Sequence, residues 1–209
     1  MKLSFIAFFV SVFTFENASS QNAYYKLGQQ AIMDGNFKAA VAQLEKACLI
    51  DSTNSSALWM LGYSYYHSEN YKKSIQIFNK EILITPTDAM AYYYRARAKS
   101  YLGRDNQITP AEKEKFMVGA IFDLTKAISY DPNGNENKYY QTRGIAYREF
   151  GVFKIQSTGH YYDKALAISS LKASVKDFEK ILADNPGRTD IAALLDISKQ
   201  KLEEILGRK

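Results

Sequence analysis

Cysteine is nearly missing from this chain: Cys48 is the sole example. No internal disulfide can hold the fold, and cysteine usage carries no information about compartment. Histidine is almost as scarce. His67 and His160, with no acidic or cysteine cluster at ligand spacing, leave a metal site short of donors. Phosphate-loop glycines, an HExxH pair and a G-x-S-x-G elbow do not occur. No metal, no cofactor and no enzyme is therefore expected. Basic residues form no run longer than two, and acids alternate with bases, as in Glu112-Lys113-Glu114-Lys115. A net charge of +5 spread in this way lacks the clustered stripe of a nucleic-acid binder, so nucleic acid is not an expected partner. After the first twenty residues there is no long apolar run, hence no expected stable membrane insertion of the remainder.

What the chain does have is globular bulk. Hydrophobic residues make up 46% and charged residues 23%, values that permit a packed core in 209 residues. Sixteen tyrosines are the compositional oddity. The N-terminus reads as an export signal over 1–20. Met1-Lys2 supplies the positive start, Leu3–Phe15 is apolar apart from Ser4, Ser11 and Thr14, and Ala18-Ser19-Ser20 gives the small residues of a cleavage site. Cleavage is expected between Ser20 and Gln21, giving a periplasmic or secreted protein. No cysteine follows the apolar stretch to carry a lipid anchor. Cys48, between Ala47 and Leu49 at the end of a helical pattern, reads as a small core residue.

The strongest signal is self-similarity at an offset of 34 residues. Leu27-Gly28 aligns with Leu61-Gly62, Gly35-Asn36-Phe37 with Glu69-Asn70-Tyr71, and Leu44 with Phe78. A third copy opens with Tyr92 and Ala96 and closes with Leu124, Ala127 and Pro132. A fourth runs from Tyr140 and Gly144 to Phe178, Ile181 and Pro186. Such a period means paired helices that bury their apolar faces only by stacking on neighbours. Gly28, Gly62, Ala96 and Gly144 are small where two helices approach closely, and Pro86, Pro132 and Pro186 each stop a second helix. Repeats are expected at about 21–54, 55–88, 89–134 and 137–188 within one domain, 21–209. A capping helix over 189–207 is expected behind Thr189.

These marks resemble the tetratricopeptide repeat (TPR) family. In the second copy they are Leu58, Leu61, Gly62, Tyr65, Tyr71, Ser74, Phe78 and Pro86. The chain departs from the pattern where Ser52 replaces the terminal proline and Lys99 the buried tyrosine. The resemblance implies an all-α right-handed solenoid of about four hairpins, whose concave face commonly grips peptides. The Lys/Asn clamp of chaperone-docking members is missing, since Tyr25, Gln29, Met60, Met90 and Tyr94 occupy its places.

Copies three and four are longer, by twelve and eighteen residues on matched landmarks. Thr109-Pro110-Ala111-Glu112 predicts a helix start, so the second helix of copy three begins early. Gly151–Gly159 reads as a loop carrying Val152, Phe153 and Ile155. Two readings remain open for these extensions: tolerated surface insertion, or a secondary docking site formed by Phe153, Ile155, Tyr161 and Tyr162.

On the first helices, Tyr25, Trp59 and Tyr93 share one phase, and Gln29, Tyr63 and Arg97 lie one turn further on. Tyr66 follows, and copy four adds Arg148. This predicts an aromatic floor of Trp59, Tyr63, Tyr66 and Tyr93 with Arg97 and Arg148 beside it, suited to a peptide carrying a carboxylate. Packing on adjacent repeats is the competing use of the tyrosines. The expected function is a non-enzymatic scaffold that binds a peptide or helix of a partner protein, in an envelope assembly or secretion complex. The alternative is glycan binding on the Tyr/Trp floor.

Overall fold

Short polar residues set where the helices begin. Asn36, Asn54 and Asn70 each accept a backbone N–H three residues on, opening the second, third and fourth helices. Asp88 and Asp163 do the same further along. Thr109 and Glu112 form a reciprocal capping box with Pro110 in the first turn. The computed structural model describes residues 21–132 and 136–207. Its helices are α1 (21–33), α2 (Phe37–Ile50), α3 (Ser55–His67), α4 (Tyr71–Ile84), α5 (Ala89–Arg104), α6 (Pro110–Tyr130), α7 (Glu136–Gln156), α8 (Lys164–Asp184) and α9 (Thr189–Leu206). No strand occurs among the described residues, and none of the described helices is long and apolar enough to cross a membrane. The export signal assigned to 1–20 lies outside the described residues.

The helices fall into two compact units, α1–α4 ending at Pro86 and α5–α9 starting at Thr87. In the first, Ala40, Leu44, Leu61 and Tyr65 form a buried cluster on which Tyr25, Ile32 and Cys48 pack. Burial pushes the Cys48 thiol up to about 11, so it stays protonated and inert, in keeping with a core role. In the second unit α5 packs on α6, α6 on α7, α7 on α8 and α8 on α9. Phe178, Ile181, Ile191 and Leu195 form a cluster that fastens α9 to α8. The small residues do what the pattern requires. A Cβ on Gly62 would stand 2.9 Å from Phe78 Cζ, and one on Gly144 2.8 Å from Phe178 Cε1. Helix α4 ends two residues before Pro86, and α6 and α8 likewise before Pro132 and Pro186.

Two local expectations are corrected. Residues 151–156 are not loop: α7 continues to Gln156, because Phe150, Gly151 and Lys154 on this last stretch are buried. The connection shrinks to a 3-10 turn at Gly159–Tyr161. Thr189 does not cap α9. It is the first helical residue, and Arg188 takes the cap position while its guanidinium grips Asp190 at 2.8 and 2.7 Å. The α3–α4 turn adds a feature the alignment of repeats hinted at. Glu69 there adopts φ 62°, matching Gly35 at φ 71° one repeat earlier. A left-handed non-glycine at this position is strained by about 1 kcal/mol.

The place of the buried Tyr65 is taken in the third copy by Lys99, and the chemistry changes with it. Tyr65 bonds Glu45 and receives a bond from Lys73. Lys99 instead reaches the fully buried Asp123 at 2.7 Å, joined by Arg95 with two bonds of 2.9 and 2.6 Å. Arg143 holds Asp177 in the same forked manner, at 2.8 Å twice. Burial lifts the Asp177 carboxyl above its ordinary range, against the pull of Arg143.

Candidate functional site

Helices α5 and α7 are the first helices of copies three and four, and they flank a groove of about 340 Å³. Tyr93 forms its base. This ring is 6% exposed and packs on Tyr139 and Tyr94 at 5.5 and 5.3 Å. Lys138 Nζ stands 4.3 Å from the Tyr93 centroid and the Arg97 guanidinium 5.6 Å from it. Burial, and then Arg97, hold the Lys138 ammonium below its ordinary pKa. At the far end Arg104 pairs with Glu149 at 3.2 Å and lies over Tyr101 at 4.8 Å. Burial raises the Glu149 carboxyl, with Arg104 and Arg148 opposing the rise. Three cations and one carboxylate thus converge on a floor of tyrosine faces, a setting that favours an incoming carboxylate.

The expected residues divide as follows. Arg97 and Tyr93 line this groove. Arg148 does not. It is half-buried beside a neighbouring cavity of about 300 Å³ with Lys113 and Phe153, and its Nη1 is enclosed without a hydrogen-bond partner. In the first unit, Trp59 and Tyr63 stack at 5.3 Å and 14°, both half-buried. Tyr63 leads on to His67 at 4.3 Å, which stacks on Phe37 at 4.6 Å. His67 therefore belongs to an aromatic array. Tyr66 is buried against Tyr71 and serves packing, as does Tyr25 on the α1–α3 core. Gln29 is exposed.

Of the secondary docking set, Phe153 and Tyr161 come together at 6.5 Å, and Tyr161 reaches an outer cavity lined by Val118 and Phe122 of α6. Tyr162 is 49% exposed. Ile155, half-buried, stands about 200° around α7 from Phe153. Sequence reasoning missed the Lys154–Glu114 pair at 2.6 Å, with Lys154 buried under the Phe150 and Phe153 rings. No group of three or more His, Cys, Asp or Glu that could hold a metal occurs among the described residues.

No family model and no curated relative matches the sequence. Solved structures do. A MamA structure shares 22% identity at TM-score 0.56, covering 77% of this chain and 79% of its own. Pseudomonas aeruginosa PilF shares 17% at TM-score 0.60, covering 90% and 72%. A thermophilic TPR protein of Thermus thermophilus shares 16% at TM-score 0.53, covering 86% and 99%. These likenesses define the class: the chain has the all-α tetratricopeptide-repeat fold.

Proposed function

We propose that the chain is a non-enzymatic protein-interaction scaffold whose α5–α7 groove takes an extended acidic segment of a partner protein. The observation that carries this is the convergence of Arg97, Arg104 and Lys138 on Tyr93 and Tyr101, against the single carboxylate of Glu149. Aromatic faces offer contact area at low entropy cost, and guanidinium groups grip carboxylates in a forked geometry. Peptides selected from a random library displayed on phage, using the full chain as bait, should be rich in Asp and Glu. Arg97→Ala with Lys138→Ala should weaken them by tenfold or more, on the order of 1.4 kcal/mol or above. Equal retention by that variant removes the reading.

The stacked, half-buried Trp59–Tyr63 pair favours the second reading, a glycan stacked on a flat aromatic face. A sugar-dependent change in Trp59 fluorescence separates it from the first. We also propose export through residues 1–20, on the charge, apolar and small-residue order noted above. Amino-terminal sequencing of the protein from its host should then start at Gln21, and an intact Met1 refutes export by cleavage.

A further inference from the structure

The outer arc of α2 and α4 has a composition that the linear sequence conceals. Lys38, Lys46 and Leu49 project from α2 on the side opposite the buried Ala40, Leu44 and Ala47. One repeat later, Lys72, Lys80 and Leu83 occupy the same positions on α4, opposite Ser74, Phe78 and Glu81. The two helices are neighbours. Lys73 of α4 pairs with Glu45 of α2 at 3.5 Å, and Lys80 acts on the Cys48 thiol. That pair takes up Glu45, the acid on this arc. Lys38, Lys46, Lys72 and Lys80 make no ion pair among the described residues; Lys46 lies over the Tyr24 ring at 5.2 Å.

The leucines are the second observation. Leu49 is 86% exposed and Leu83 82%, near-complete exposure for large apolar side chains at matched positions. Ile50 and Ile84 stand next to them, at 37% and 43%. Copies three and four do not keep this arrangement. Ser129 and Ala183 replace the leucines, Lys126 lies over Phe122 and Tyr130, and Lys180 is paired with Asp184. Unpaired lysines beside exposed leucines belong to the first unit.

We propose that this arc of α2 and α4 docks on an anionic lipid surface. The four ammonium groups meet the headgroup charge, and Leu49 and Leu83 enter the headgroup–acyl boundary. Charge attraction and apolar burial add in such binding, with roughly fivefold in affinity for each lysine near the surface. A polyanion such as nucleic acid would use the lysines and have no use for the leucines. The arc shares no residue with the α5–α7 groove, so the two proposals stand or fall apart.

The test is cosedimentation of the full chain with vesicles of phosphatidylglycerol in phosphatidylcholine, against phosphatidylcholine alone. Lys72→Gln with Lys80→Gln should weaken binding to the anionic vesicles roughly thirtyfold. All these side chains are exposed, so the variants should keep the wild-type helical circular dichroism. Contact is localised by an environment-sensitive fluorophore on Leu83→Cys in a Cys48→Ala background, whose emission should shift to the blue with anionic vesicles. The same label on Met33→Cys, at the end of α1 and exposed, should not shift. The proposal is overturned by any of three results: unchanged binding of the lysine variant, a preference for duplex DNA over vesicles, or a label shift produced by self-association without lipid.

Discussion

Asp123→Ala should lower the stability of the α5–α9 unit by about 3–5 kcal/mol, the cost of removing one partner from a buried charge cluster. Asp123 has no exposed side-chain surface, and its partners Arg95 and Lys99 are 12% and 18% exposed. Without the carboxylate, two cations face each other where water has little access. Burial already holds the Lys99 ammonium below its ordinary pKa, with Asp123 the main opposing influence. In a protein of this size the midpoint of thermal unfolding should fall by roughly 6–20 °C. The contrasting experiment uses the other pair. Arg143→Leu with Asp177→Ile recreates the Leu61 and Ile77 combination of the second copy, and should be neutral or stabilising. Asp177→Ile alone should be costly. An Asp123→Ala midpoint within about 1 kcal/mol of wild type would show that the cluster contributes little.

Phe178→Ala should cost a similar 3–5 kcal/mol, for a different reason. Phe178 is fully buried among Ile181, Ile191 and Leu195, and it fills the space that Gly144 leaves open. Its loss opens a cavity where α7, α8 and α9 meet, and α9 amides should lose hydrogen-exchange protection first. The same geometry predicts a reversal of sign. In the wild-type background Gly144→Ala puts a methyl group 2.8–2.9 Å from the ring and destabilises. In the Phe178→Ala background that methyl enters the cavity, and alanine's better helix propensity adds up to ~1 kcal/mol. Denaturant midpoints of the four proteins give the coupling directly. Additive effects would mean that the ring does not rest on Gly144.

The fold was legible because its marks are short-range and recur. Gly62 facing Phe78, Pro86 ending α4, and Thr109–Glu112 opening α6 are each dictated by local sterics or hydrogen bonding. Residues 151–156 read as loop in the sequence because glycine at 151 and the polar residues near it suggest a turn, while burial on α6 and α8 holds the segment helical. The candidate site was less legible. The 34-residue stride found Tyr93 and Arg97 but passed over Lys138, whose importance lies in standing over a ring from the next repeat's first helix. Arg148 shares the helix and misses the groove. The buried charges do leave a mark in the sequence. Arg95 and Arg143 stand where Leu27 and Leu61 do, and Asp123 and Asp177 stand where Gln43 and Ile77 do. Joint replacement at two facing positions is what a charge pair in a repeat looks like. The lysine arc was hidden because Glu45 and Glu81 adjoin Lys46 and Lys80 along the chain, whereas in the fold Glu81 is buried and Glu45 is paired with Lys73.

That joint replacement also bears on how similar hairpins find their own mates. Neighbouring copies of one motif are prone to exchange, and domain swapping is a common failure of such chains. Here the second hairpin closes on Leu61 with Ile77, the last two on an arginine with an aspartate. A helix traded across the boundary at Pro86 would strand a carboxylate or a guanidinium in a dry interior. The chain therefore carries two pairing alphabets that do not cross-read, and the line between them coincides with the line between its two compact units.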